Sequence, residues 1–131
     1  MTTPTAWSTN ELVTFETADE VRLAVRRADG TLRRPVTIWI VRVGDDLFGR
    51  SVNGPSATWY RPVPERHEGH LEASEGRAAG GRDVALEPAE PGLNDQVDQA
   101  YRVKYGRYPG TYVNAIIAGQ ARATTLRLRP I

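Results

Sequence analysis

Hydrophobic positions along this chain follow two periods in turn. Ser8 followed by Glu11 makes a capping box ahead of Leu12 and Phe15, which predicts a short N-terminal helix. Alternation comes next: Val21, Leu23 and Val25 face one way, and Arg22, Ala24 and Arg26 the other, the pattern of a half-buried strand. Ala28-Asp29-Gly30-Thr31 supplies a hairpin turn. The partner strand is expected from Pro35 to Val43, with Val36, Ile38 and Ile40 on one face and Thr37, Trp39, Val41 and Val43 on the other. A strand apolar on both faces is covered on both, as in a closed barrel carrying helices or a dimer partner. Gly44-Asp45-Asp46 turns the chain, and Leu47 to Val52 forms a third strand.

Asn53-Gly54-Pro55-Ser56 breaks this rhythm, and a short helical turn through Ala57, Trp59 and Tyr60 is expected, ended by Pro62 and Pro64. His67 to Ser74 and Val84 to Glu87 read as strands joined by a Gly/Ala-rich exposed hairpin tip over residues 75–82. Leu93 to Tyr105 is the best helix. Asn94 caps it, Asp95 and Asp98 open it, Arg102 and Lys104 close it, and Val97, Ala100, Tyr101 and Tyr105 form its apolar stripe. A shorter helix, Tyr112 to Ala118, and a closing strand, Ala123 to Arg129, complete the chain. The order predicts one α+β domain over residues 1–131, built on a single antiparallel sheet or barrel with a few flanking helices.

Composition narrows the choice of chemistry. The 131 residues contain no cysteine, so disulfides, thiolate metal sites and cysteine nucleophiles are excluded. The polar start lacks the pattern of a signal peptide, and the longest apolar run is too short for a bilayer, so a cytoplasmic location without membrane association is expected. Net charge is +1, yet residues 22–61 hold eight arginines against three aspartates, and residues 65–98 hold nine acids against three arginines. Sixteen of the seventeen basic residues are arginine, the side chain that best grips phosphates and carboxylates. No lysine/arginine run or reading motif accompanies them, which argues against nucleic acid. His67 and His70 sit three apart on an expected strand and face opposite sides, so no metal site is expected.

The segment from Arg33 to Arg61 carries the candidate chemistry. A strand ending in Ser51-Val52-Asn53-Gly54 and leading into a helical turn can aim backbone N–H groups at an anion, and Gly54 permits close approach. Arg34 and Arg50, on neighbouring expected strands, and Arg61 add charge. Trp39 and Trp59 can flank a flat ring. Their bland alternatives are core or interface packing for the tryptophans and surface ion pairs for the arginines.

Three stretches (Arg33-Arg34-Pro35-Val36-Thr37-Ile38-Trp39, Asp46 to Gly54, and Trp59-Tyr60-Arg61) resemble the FMN-binding split-barrel superfamily. They are most like the F420-dependent nitroreductase-like and pyridoxamine-phosphate-oxidase-like branches. Over nearly its whole length the chain also resembles an uncharacterised bacterial family in that superfamily. The shared features are Asp-Gly-Thr-Leu-Arg, Pro-Val-Thr-Ile-Trp, Trp-Tyr-Arg and Tyr-Arg-x-Lys-Tyr-Gly. The resemblance implies an antiparallel split β-barrel, a homodimer with its cleft between subunits, and FMN or F420 as cofactor. Hydride would pass to an unknown small-molecule substrate, with Tyr60 as proton donor and Arg34, Trp39, Arg50, Ser51, Asn53, Gly54, Trp59 and Arg61 as cofactor contacts. Asp29 departs from the basic hairpin turn of F420-using relatives. The rivals are a non-catalytic ligand-binding or structural dimer that has lost the cofactor, and an enzyme that uses the cleft without flavin.

Overall fold

A computed structural model describes residues 6–73 and 81–131. The expected hairpin tip at 75–82 falls almost entirely outside them. Helix α1 (Thr9–Thr17) opens on the anticipated capping box: the Glu11 N–H donates to Ser8 Oγ, and the Ser8 N–H donates to the Glu11 carboxylate. Seven strands follow in one antiparallel sheet: β1 (Val21–Val25), β2 (Val36–Ile38), β3 (Ile40–Val43), β4 (Asp46–Gly49), β5 (Glu68–Ala73), β6 (Arg82–Pro88) and β7 (Leu126–Pro130). Helices α2 (Val63–Arg66), α3 (Asn94–Tyr105), α4 (Gly110–Ile116) and α5 (Gly119–Arg122) complete the elements.

The strand order is β2-β1-β5-β6-β7-β4-β3. Its two edge strands are consecutive in the chain, separated only by Trp39. A sheet whose opposite edges are joined by one residue has to roll up, and the result is a nearly closed, α+β split barrel. The expected continuous strand from Pro35 to Val43 is therefore two strands, with the chain crossing from one edge to the other at Trp39. Alternation runs through that crossing unbroken, because Ile38 and Ile40 both point into the barrel.

The two-faced burial is as the pattern demanded. Ile40 and Leu47 join the barrel interior with Leu12, Phe15, Val21, Leu23, Leu71, Leu86 and Leu128. Their neighbours Val41 and Phe48 point outward into a second cluster with Val97, Tyr101, Tyr105, Val113 and Ile116 of α3 and α4. Each such side chain contributes about 1.5–3 kcal/mol on burial. The helices thus cover the outside of β3 and β4.

Three local expectations need correction. Pro62 and Pro64 begin a helix instead of ending one: Pro62 is the N-cap of α2, where a missing N–H costs nothing. His67 is not in a strand but closes α2 at φ 59°, a left-handed cap held by its N–H to Val63 O. Asn94 is the first residue of α3, after a 3-10 turn at Pro91–Leu93, and its side chain turns inward instead of capping.

Candidate functional site

At the seam between β2 and β3 a cleft of about 340 Å³ opens between the barrel rim and α4. Trp39, Asn53 and Trp59 line it, with Thr37, Ile38, Val52, Tyr112, Ile116 and the edge of Arg50. Four of the expected cofactor contacts, Trp39, Arg50, Asn53 and Trp59, thus meet on one concavity. The fold explains why: Trp39 sits where the sheet edges meet, and the turns after β4 carry Asn53 and Trp59 back across that gap.

The wall formed by α3 fixes Trp39 from behind. Tyr105 stacks on its indole with ring centroids 3.9 Å apart and planes within 1°. The Tyr101 hydroxyl donates to Trp39 O at 2.9 Å, and Tyr105 Oη donates to Asp19 O at 2.8 Å and Ile40 O at 3.3 Å. Lys104 Nζ donates to Ile40 O at 2.8 Å and Phe15 O at 3.2 Å. Burial pushes the Tyr101 and Tyr105 phenols well above their ordinary range and lowers the Lys104 ammonium to about 8. One face of Trp39 is therefore already occupied by protein.

Arg50 was expected as an anion ligand, and the structure gives it a structural role instead. Its side chain is fully buried. Nη1 donates to Asp98 Oδ1 at 2.5 Å and Ile116 O at 3.1 Å, Nε to Thr125 Oγ1 at 2.8 Å, and Nη2 to Asn94 at 3.2 Å. The guanidinium also lies 5.5 Å over the Tyr101 ring. With these acceptors engaged, it ties β4 to α3, α4 and the start of β7. Asp98, read as a helix-dipole residue, is the buried counterion and also lies 3.4 Å from Arg122.

The Ser51–Gly54 turn is likewise folded inward. The Ser51 N–H donates to Thr124 Oγ1, its hydroxyl donates to Gly54 O, and the Gly54 N–H donates to Ser51 O. Gly54 has φ +82°, and a Cβ there would meet Gln120 at 3.2 Å, so α5 packs closely against this turn. Tyr60, expected as proton donor, does not line the cleft. It stands edge-on behind Trp59, centroids 5.7 Å apart, packed against the barrel interior, and burial raises its phenol. Arg34 lines two grooves outside the cleft, and Arg61 is exposed without lining it.

Tyr112, which is 58% exposed, also lines the cleft and was not among the expected cofactor contacts. His70 Nδ1 lies 2.9 Å from Asp83 Oδ1 across β5 and β6, and neither it nor His67 reaches the cleft. Among the described residues no group of three His, Cys, Asp or Glu side chains could hold a metal. No helix among them is long and apolar enough to cross a membrane.

Residues 11–128 match the model of a bacterial family described as "Uncharacterized protein conserved in bacteria (DUF2255)", and the chain belongs to that family. No curated protein matches the sequence. Solved structures with the same fold include HutZ, the haem storage protein of Vibrio cholerae (15% identity, TM-score 0.64, covering 91% of this chain and 86% of that one). An F420 reductase matches at 15% identity with TM-score 0.61, covering 91% of each chain. An FAD and haem binding protein from Mycobacterium smegmatis matches at 18% identity with TM-score 0.59, covering 93% of this chain and 65% of that one. At these identities the likeness establishes the split-barrel fold.

Proposed function

We propose that this member of the family binds a flavin-type cofactor, FMN or F420, in the seam cleft and serves as an oxidoreductase toward a small molecule. The observation that carries this reading is the convergence of Trp39, Asn53 and Trp59 on one cleft of about 340 Å³. That volume falls in the range of small-molecule sites and suits a flat ring with a longer tail left outside. Trp59 offers an aromatic face, Asn53 an amide for the ring's polar edge, and Ile38 and Ile116 an apolar floor. When bound, such a cofactor supplies hydride chemistry, and the protein's part is to hold and tune it.

Tyr112 is the phenol placed to hold or pass a proton at the cleft, in preference to Tyr60. The names of the structural neighbours include flavin, deazaflavin and haem partners, and the first two suit this cleft better. Neither histidine lines it, and Tyr112 is the one lining side chain of a type that takes an axial position on haem. The exposed Tyr112 and the 74% exposed Val103, on α4 and α3, support a homodimer that would bury them. A second reading, a ligand-binding dimer without redox function, is favoured by one observation: Tyr105 already covers a face of Trp39 and Arg50 is fully engaged.

An absorbance spectrum of the purified protein, followed by titration with FMN, FAD and F420, tests the proposal. Saturable binding by FMN or F420 is expected. Absence of binding by all three at about tens of micromolar, an ordinary range for a specific site, removes it.

A further inference from the structure

The described arginines fall into two populations. Arg26, Arg42, Arg50, Arg66, Arg82, Arg107, Arg122, Arg127 and Arg129 each lie within 4.0 Å of a carboxylate. Arg22, Arg27, Arg33, Arg34, Arg61 and Arg102 form no ion pair with a carboxylate among the described residues, and four of these six belong to the β1–β2 hairpin. The unpaired arginines thus concentrate at the hairpin and leave a local excess of positive charge there.

That place has a shape. A groove of about 270 Å³ lies beside the hairpin, lined by Arg27, Arg33 and Arg34 and by the half-buried Val36 and Trp59, with the buried Leu23 and Val25 beneath them. No acidic side chain lines it. The rim is held firmly by the backbone. The Arg33 N–H donates to Val25 O at 2.9 Å, and Pro35 restricts Arg34 to extended conformations. Arg27 reaches only neutral acceptors, Leu32 O at 2.9 Å and Thr31 Oγ1 at 3.4 Å. Arg33 Nε is buried with no hydrogen-bond partner among the described residues. A desolvated charged donor without an acceptor is unfavourable, and turning the guanidinium toward an oxyanion relieves it.

We infer that this groove is a second ligand site, separate from the cleft, and that it takes an amphipathic organic anion: a carboxylate or phosphate monoester on an apolar body. The charged head meets Arg27, Arg33 and Arg34, while the body lies on Val36 and Trp59. An inorganic anion uses only the arginines, and a neutral apolar molecule uses only the apolar side chains. Trp59 borders both concavities, so the two ligands would sit on opposite sides of one indole.

Calorimetric titration of the full chain with octanoate, octyl phosphate, octan-1-ol and inorganic phosphate tests this. Octanoate and octyl phosphate should bind saturably, with the tighter of the two naming the head group. Octanol and inorganic phosphate should each bind more than tenfold more weakly. The Arg33→Ala/Arg34→Ala double variant should lose more than tenfold in affinity for both anions with its melting temperature unchanged. Equal binding of octanol and octanoate, retained affinity in the double variant, or no binding by either anion overturns the inference. Competitive displacement of octanoate by FMN also overturns it, by making the groove an extension of the cleft. Independent binding of octanoate in a protein that binds no flavin supports the groove while removing the cleft proposal.

Discussion

Two arginine sites, one at the seam cleft and one at the hairpin groove, could hardly differ more. On the α3 side, Arg50 is fully buried and bonded to Asp98, Thr125, Asn94 and Ile116 O. On the hairpin side, Arg33 and Arg34 touch no carboxylate among the described residues, and Arg33 Nε has no acceptor. Both sites come from the same arginine-rich stretch. The difference teaches that a charge in a basic segment becomes structural when an acid from a distant helix is buried with it. It remains available for a ligand where no acid is buried against it.

The sharpest way to break this comparison is to remove one partner of the buried pair. Asp98→Ala or Arg50→Ala strands a buried charge and should cost about 3–5 kcal/mol in denaturant unfolding. A loss below about 1 kcal/mol would place the pair on the same footing as surface ion pairs. Tyr105→Phe keeps the stack on Trp39 but removes donors to Asp19 O and Ile40 O. It should cost about 1–2 kcal/mol, read by the same unfolding measurement, without abolishing cofactor binding.

Lys104 sharpens the picture of the α3 wall through pH. Burial lowers its folded-state pKa to about 8, below the unfolded value of 10.5. Between those values the unfolded chain binds more protons, so stability should rise as pH goes from about 8 to 10. Above about 10 the direction reverses, because unfolded tyrosines ionise while Tyr101 and Tyr105 resist. Melting temperatures across that range should show the rise, and Lys104→Met should lack it. The smallest effect belongs to the hairpin: Arg33→Ala/Arg34→Ala should change stability by less than about 0.5 kcal/mol, since neither side chain is held by an acid.

Much of the fold was legible because it rests on local chemistry. The Ser8–Glu11 box, the Asp29-Gly30 turn and the double-faced alternation of Ile40-Val41 and Leu47-Phe48 each name their own structure. Trp39 was legible as a candidate ring contact, but not as the point where the strand changes edge, since the period of two does not register which neighbour a strand pairs with. Arg50 and Asp98 lie 48 residues apart, and neither carries a local mark of burial. A helix-dipole aspartate and a surface arginine look the same in sequence as a buried pair. The inward bonding of the Ser51–Gly54 turn was hidden for a similar reason: Thr124 and Gln120, which pack against it, come from the far end of the chain. Tyr60 lies away from the cleft because the turns before α2 aim it back at the barrel.

The central claim is that the seam cleft, not the Ser51–Gly54 turn, holds a flavin-type ring. Titrating FMN and F420 into the native chain and into Trp59→Ala, Asn53→Ala and Ser51→Ala, with binding followed by cofactor absorbance, tests it most directly. The account predicts saturable binding of at least one cofactor, weakened at least tenfold in Trp59→Ala, less in Asn53→Ala, and unchanged in a folded Ser51→Ala variant. Native-like affinity in Trp59→Ala, or loss of binding in Ser51→Ala with the melting temperature preserved, would contradict it.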